Sequence, residues 1–186
     1  MNATLAAVGI IIIAAVIIYF RTGTSKDLGV KTVNPAFGEY VSSYTAGVVS
    51  SASAIRIALS RDVVEAEALG ETPVKLFDFS PSMKGTTIWI DRHTVEFRPA
   101  GRWSSGQVYT AEFNLGRIME VGKDLATFEY SFQIIPQNFE LSIDNVSSYS
   151  ATELNRQKVD GVILTADFAE GAAVEKMLSA SQEDQR

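Results

Sequence analysis

Between residues 36 and 136, hydrophobic and polar positions alternate with a period of two, as they do in half-buried β-strands. The clearest run is 126–135, where Phe128, Tyr130, Phe132 and Ile134 share one face. Turn residues separate the runs, and no stretch of ten residues repeats with the helical period of about 3.6. This spacing favours a β-sandwich over a parallel α/β sheet. Strands are predicted within 39–49, 54–59, 73–79, 86–90, 94–98, 107–115 and 126–135.

The same alternation predicts which side chains form the core. In the run 73–79 we expect Val74, Leu76 and Phe79 to point inward. Trp89 lies in an apolar strand and is expected to pack in the core. The remaining inward positions predicted from the pattern are Ile55, Ile57, Leu59, Val95, Phe97, Tyr109, Ala111, Phe113 and Leu115.

The pattern breaks at Pro136, where we place a domain boundary. Two further strands are predicted within 139–146 and 158–168, followed by a short helix within 172–181. Two strands and a helix cannot close a sandwich, and they leave an unpaired edge and an exposed apolar face. We therefore expect this chain to be a fragment of a longer protein. The alternative is that these residues pack on the first domain or on a partner.

The first twenty residues form a separate region, because they carry no charged side chain and are apolar on every face from Ala3 to Phe20. At about 1.5 Å per residue this run spans roughly 27 Å, close to the thickness of a bilayer core. Tyr19, Phe20 and Arg21 suit a membrane interface. We predict an uncleaved transmembrane anchor. The main alternative is a cleaved signal peptide, which fits less well because no basic residue precedes the run and no clear cleavage site follows it. A buried core helix is a weaker alternative.

Orientation across the membrane receives two opposing indications. Arg21, Lys26 and Lys31 against Asp27 give a positive bias after the span, which favours a cytoplasmic domain. The family resemblance described below favours an extracytoplasmic one, either periplasmic or on the cell surface, and we prefer that side. The polar, Gly- and Thr-rich residues that follow the span predict a flexible tether.

Composition excludes several classes of function. The 186 residues include no cysteine and one histidine, which removes disulfides, thiol nucleophiles and multi-histidine metal sites. A net charge of −6 without a basic run argues against a nucleic-acid partner. No nucleotide-binding fingerprint and no Gly-x-Ser-x-Gly motif occurs. We expect neither a cofactor nor a bound metal.

Few side chains suggest a binding or catalytic role. His93 follows Asp91 and Arg92 in a predicted turn, and we interpret it as a surface residue because nothing in the sequence supplies a nucleophile beside it. Asp62, Glu65, Glu67 and Glu71 form a solvated acidic loop without calcium-site spacing. Arg102 and Trp103 lie in a Gly/Ser loop and are the candidates for a ligand or interface contact, with packing over the sandwich end as the default for Trp103.

Several motifs resemble those of bacterial Ig-like modules. They are FSPSMKG at 79–85, IWID at 88–91, TVEFRP at 94–99 and GQVYT at 106–110, with Trp103 where those modules usually carry Leu. The sequences KVDGVILTADF at 158–168 and VEKML at 174–178 resemble the start of a macroglobulin-type domain. Together the chain resembles the N-terminal region of bacterial alpha-2-macroglobulin-like proteins over about 36–180.

The resemblance implies an all-β architecture in four parts. These are a transmembrane anchor (1–20), a tether (21–35), an Ig-like β-sandwich (36–136) and the truncated start of a second, macroglobulin-type β domain with one short helix (137–186).

The implied function is that of a non-catalytic scaffold in a membrane-anchored protease inhibitor, in which other domains trap the protease. Its partners would be the membrane, the downstream domains of the same protein and, through the full-length protein, proteases. The family's thioester motif needs a cysteine and cannot lie in this chain. The alternative is a surface adhesin or ligand-binding Ig-like protein that binds through the loop around Trp103.

Overall fold

A computed structural model describes residues 33–152 and 156–179, which fall within one compact unit running from Lys31 to Arg186. The predicted transmembrane anchor (1–20) and most of the tether lie outside the described residues. In the described ranges, no helix is both long and apolar enough to cross a membrane. Over these same ranges the chain forms β-sheets, as the alternating pattern predicted, and one short α-helix near the predicted position.

One layer of the fold is a five-stranded sheet in the order β1-β3-β7-β6-β4, and all of its pairings are antiparallel. Its strands are β1 (Val41–Tyr44), β3 (Ile55–Leu59), β4 (Gly70–Glu71), β6 (Gly85–Trp89) and β7 (Thr94–Pro99).

The second layer is a four-stranded sheet in the order β2-β9-β8-β5. Its strands are β2 (Gly47–Val49), β5 (Phe77–Ser80), β8 (Val108–Phe113) and β9 (Phe128–Ile134). Strand β2 runs parallel to β9, with Gly47 opposite Phe132 and Val49 opposite Ile134. The other two pairings in this layer are antiparallel.

The hydrophobic core lies between these two sheets. Alternate side chains of β3 and β9 are buried, and the other side chains of β3 face outward, which confirms the period-two interpretation. Tyr109, Ala111, Phe113 and Leu115 are buried as expected, and so is Trp89. Aromatic rings fill much of the space, and the Phe77 ring contacts those of both Phe97 and Phe113.

Two predicted strands are wrong in their extent. The run 39–49 divides into β1 and β2 on different sheets, and Gly47 adopts a φ of 77° that a residue with a side chain rarely takes. In the run 73–79, Val74 is exposed, because its N–H is bonded to the Thr72 side chain in a local turn and β5 begins only at Phe77. Residues 60–72, expected to be a loop or one short helical turn, contain the 3₁₀ turn Ala66–Ala68 and the unexpected two-residue strand β4.

The sandwich has two ends. The proximal end holds Leu59, Thr94 and Phe128, and the described chain reaches the sandwich there, with Phe37 packed on Phe128. The distal end holds Pro99, Val108 and Ile134, and the chain leaves from Ile134. The seven residues of β9 connect the two ends over about 23 Å at 3.3 Å per residue.

Beyond the sandwich lies an antiparallel hairpin of β10 (Phe139–Ser148) and β11 (Gln157–Thr165), followed by a short helix (Gly171–Met177). The register places most of the hairpin's apolar side chains on one face, which we call the apolar face, and Val162 and Leu164 on the opposite face. The side chains of the apolar face are Phe139, Leu141, Ile143, Val146, Val159 and Ile163. Most of them are about half exposed, so this face is open to solvent apart from contact with Leu178.

Candidate functional site

The candidate loop at residues 100–107 lies at the distal end of the sandwich. Its Trp103 is 2% exposed, and the ring centroid lies 4.8 Å from that of Tyr109 and 5.3 Å from that of Phe132. The indole Nε1 donates a hydrogen bond of 2.8 Å to the carbonyl of Ser53, and the backbone N–H donates to the carbonyl of Ser51. Trp103 therefore fastens its loop to residues 51–53 from inside the core.

Arg102, the neighbouring residue, faces outward. Its guanidinium carbon lies 3.8 Å from the centroid of the Phe168 ring. This distance is typical of a cation–π contact, which contributes about 0.5–1 kcal/mol at exposed sites. Phe168 follows the hairpin in sequence, so Arg102 makes a contact between the sandwich and the hairpin.

Asp167 makes the closest polar contacts between these two parts. Its carboxylate accepts a hydrogen bond of 2.5 Å from the Ser50 hydroxyl and one of 2.6 Å from the Ser51 backbone N–H. Desolvation opposes ionisation, but the bonds from Ser50, Ser51 and the Phe168 backbone outweigh it and hold the pKa of the Asp167 carboxyl well below its usual range. The bridge is therefore a carboxylate at neutral pH.

Gln137 supports the same contact from the side of the linking segment. Its side-chain Nε2 donates to the carbonyls of Asp167 and Phe168 at 3.1 and 3.2 Å, and its Oε1 accepts from the Asp167 N–H at 3.0 Å. Its own backbone N–H donates to the Ser105 hydroxyl at 2.6 Å. Gln137 thus ties the base of the hairpin to the distal loop.

We call these contacts the joint, formed by Ser50, Ser51, Arg102, Ser105, Gln137, Asp167 and Phe168. Most contacts in the joint are hydrogen bonds. Because hydrogen bonds are directional, they fix the orientation of the hairpin more than they strengthen its attachment. The loop carrying Arg102 is held by Trp103, so the two candidate residues act together, one inside the core and one at the surface.

The other sequence candidates lie elsewhere. His93 is at the proximal end in the turn between β6 and β7, where its Nδ1 lies 3.3 Å from Asp91 Oδ1 and 3.5 Å from Asp62 Oδ1. The three side chains are all close to half exposed. Across residues 33–152 and 156–179, no three His, Cys, Asp or Glu side chains come together in a way that would hold a metal ion.

Sequence reasoning missed Ser50, Gln137 and Asp167. Gln137 stood in the segment that was assigned as a boundary, and Asp167 was placed inside a predicted strand that ends at Thr165. The sequence offered one indication: Asp167 is a polar residue just after an apolar strand, and Gln137 lies at the boundary between domains. Short-range patterns do not show that Ser50 bonds to Asp167, because the two residues are 117 positions apart.

Neither a protein-family model nor a curated protein matches the sequence. Among solved structures, L,D-transpeptidase 3 from Mycobacterium tuberculosis in complex with a faropenem-derived adduct aligns over 53% of this chain, with 16% identity and a TM-score of 0.37. An L,D-transpeptidase from Mycobacterium tuberculosis H37Rv aligns over 60% of this chain, with 15% identity and a TM-score of 0.35. The alignments cover 39% and 42% of those two chains, about two fifths of their length.

Proposed function

We propose that this chain is a non-catalytic scaffold of a membrane-anchored, extracytoplasmic alpha-2-macroglobulin-like protein. In this proposal residues 1–20 anchor the protein, the sandwich acts as a spacer, and the hairpin with its helix begins a second β domain. The domains that trap a protease lie elsewhere in the full-length protein. The motifs at 79–110 and 158–178 support this family assignment.

The strand order of the sandwich is a second source of support. Immunoglobulin sandwiches of the constant type pair strands ABED in one sheet and CFG in the other. Here β1-β3-β7-β6 and β5-β8-β9 have those positions, with β2 and β4 as additions at the sheet edges. This order fits an Ig-like module, a class used widely to space other domains.

The joint is the observation that carries the proposal. The sandwich receives the chain at its proximal end and releases it at its distal end, about 23 Å away by the length of β9. At the distal end, Asp167 and Gln137 fix the hairpin by hydrogen bonds to Ser50, Ser51 and Ser105. A spacer needs both properties, separated ends and a set direction for the next domain.

The apolar face of the hairpin agrees with an unfinished second domain. A two-stranded hairpin is marginally stable by itself, and an exposed apolar strip of this kind marks an interaction surface. We assign its cover to further β-strands of the same macroglobulin-type domain.

The test is to identify the native protein in the cells that make it. An antibody against residues 36–136 should detect a membrane-fraction protein much larger than the 20.2 kDa of this chain. After a protease is added, that protein should migrate with the protease in a complex. Detection of a 20.2 kDa species that sediments without membranes and binds no protease would overturn the proposal.

A further inference from the structure

A depression of about 460 Å³ opens at the distal end of the sandwich, beside the joint. Ala52, Ala54 and Pro99 contribute small apolar surfaces to it, while Arg98 and Arg102 supply two guanidinium groups. Ile55 pairs with Phe97, so Ala54 lies next to Arg98 on the outer surface of the five-stranded sheet. The short Ala side chain leaves the space beside the arginine open.

Arg98 is held in place from behind. Glu96, whose side chain is 3% exposed, accepts a hydrogen bond of 2.7 Å from Arg98 Nε and one of 2.5 Å from Arg56 Nε. Both arginine side chains are about 60% exposed, so their remaining N–H groups face solvent. A guanidinium whose orientation is fixed in advance loses less conformational entropy when it binds an anion.

The charges at this place differ from those of the whole chain. Three arginines, Arg56, Arg98 and Arg102, stand against two carboxylates, Glu96 beneath them and Asp167 in the adjoining joint, which leaves a local charge of +1. The chain as a whole carries −6. An isolated positive depression on an acidic protein attracts anions selectively, because the rest of the surface repels them.

We propose that this depression binds a phosphate monoester group. A phosphate monoester carries close to two negative charges at neutral pH, so the positive charge of the depression attracts it more strongly than a monovalent anion. Its oxygens match the planar N–H pairs of arginine. The volume is that of a small-molecule site and accommodates a phosphate with part of the group that carries it. This site goes beyond the scaffold function and does not depend on it.

The first experiment titrates the full chain with inorganic phosphate at constant ionic strength and follows the arginine Nε–Hε signals by NMR. Signals of Arg98 and Arg102 should shift and saturate. Arg102→Ala and Arg98→Ala should each weaken binding roughly tenfold, the equivalent of one charge-assisted contact. Arg117→Ala, which removes an exposed arginine at the proximal end, is the matched control and should leave binding unchanged.

A further variant, Ala54→Leu, distinguishes loss of the site from loss of the fold. Ala54→Leu keeps every charge but fills the depression, and it should also weaken binding while the far-UV CD spectrum and the unfolding midpoint stay near those of the parent. If phosphate shifts all arginine signals alike, or if Arg102→Ala, Arg98→Ala and Arg117→Ala bind equally, the effect is ordinary screening and the site does not exist.

The source of the phosphate is distinguished by two probes compared in parallel. Glucose 6-phosphate represents a soluble phosphate monoester, and phosphatidylcholine vesicles containing phosphatidic acid represent a membrane one. We expect the sugar phosphate to bind and to depend on Arg102, since the depression lies at the distal end of the sandwich and has the volume of a small-molecule site. Binding to the vesicles alone would overturn this assignment of a soluble ligand.

Discussion

Trp103 shows how one residue can serve the core and the surface of the same loop. Its ring packs against Phe79, Tyr109 and Phe132, and its Nε1 satisfies the carbonyl of Ser53. The neighbouring Arg102 then projects from a fixed backbone toward Phe168. The position of the surface residue therefore depends on the buried one.

Trp103→Ala should lower the free energy of unfolding by about 3–5 kcal/mol, as truncation of a buried Trp usually does. Trp103→Phe should lower it less, because packing is partly kept while the Ser53 carbonyl loses its donor. Urea denaturation followed by far-UV CD measures both. Arg102→Ala is the control and should change the unfolding midpoint of the sandwich little. Equal midpoints for Trp103→Ala and Arg102→Ala would contradict the role given to the indole.

At the scale of strands, the sequence predicted most elements but not how they connect. The run 126–135 was predictable because only one register buries all four of its large apolar side chains. Strand β9 has that register. The division of 39–49 between two sheets was not, since β-branched and aromatic residues suit either sheet equally well. The turn at Val74 arises from a single side-chain bond, from Val74 N–H to Thr72, which periodicity does not report.

The candidate site was predictable only in part, for a related reason. Arg102 and Trp103 stand out locally as a charged and an aromatic residue in a Gly/Ser loop. Their partners Phe168 and Ser53 lie 66 and 50 positions away, and such pairings follow from the closed sandwich rather than from local pattern.

The hairpin depends on one glycine. A Cβ added to Gly161 would lie 2.4 Å from the carbonyl oxygen of Ser142 on the paired strand, closer than real Cβ atoms approach. Gly161→Ala should therefore disrupt the pairing of β10 and β11 and leave the sandwich intact. Hydrogen exchange should show faster exchange in 139–165 and unchanged protection in 128–134.

Gly171→Ala is the matched control for this change, because a Cβ there meets nothing within 4 Å and alanine favours a helix. It should leave exchange in the hairpin unchanged or slower. If both alanine variants leave the hairpin equally protected, the close approach at Gly161 does not constrain the pairing.

At the scale of the whole described structure, the sandwich and the hairpin have a relative orientation that depends on an ionised carboxyl, that of Asp167. The pKa of Asp167 is lower in the folded protein than in an unfolded chain, where an Asp titrates near 3.9. Its contribution is therefore fully present above that value and is lost as the pH falls through the lower, folded pKa. Acidification below about pH 4 should loosen the joint before it affects the sandwich core.

Hydrogen exchange or chemical shift of the Ser51 N–H, followed from pH 6 to about pH 1, measures this loss. Asp167→Asn should give a Ser51 signal that is shifted at pH 6 and no longer changes with acid. Asp144→Asn is a control in the hairpin, away from the joint. In this variant the Ser51 signal should respond to acid as it does in the parent. A Ser51 signal that responds to acid in Asp167→Asn as it does in the parent would contradict the assignment.

The parallel pairing of β2 with β9 has a consequence for a protein pulled by its two ends. Tension applied through residue 41 and residue 134 draws β2 toward the proximal end and β9 toward the distal end. The hydrogen bonds between Gly47–Val49 and Phe132–Ile134 lie across that direction, so the pull loads them together in shear instead of opening them one after another. The sandwich therefore resists extension at this pairing. Once β1 has detached from β3, the short strand β2 must separate from β9 before the pull can extend the chain into the core.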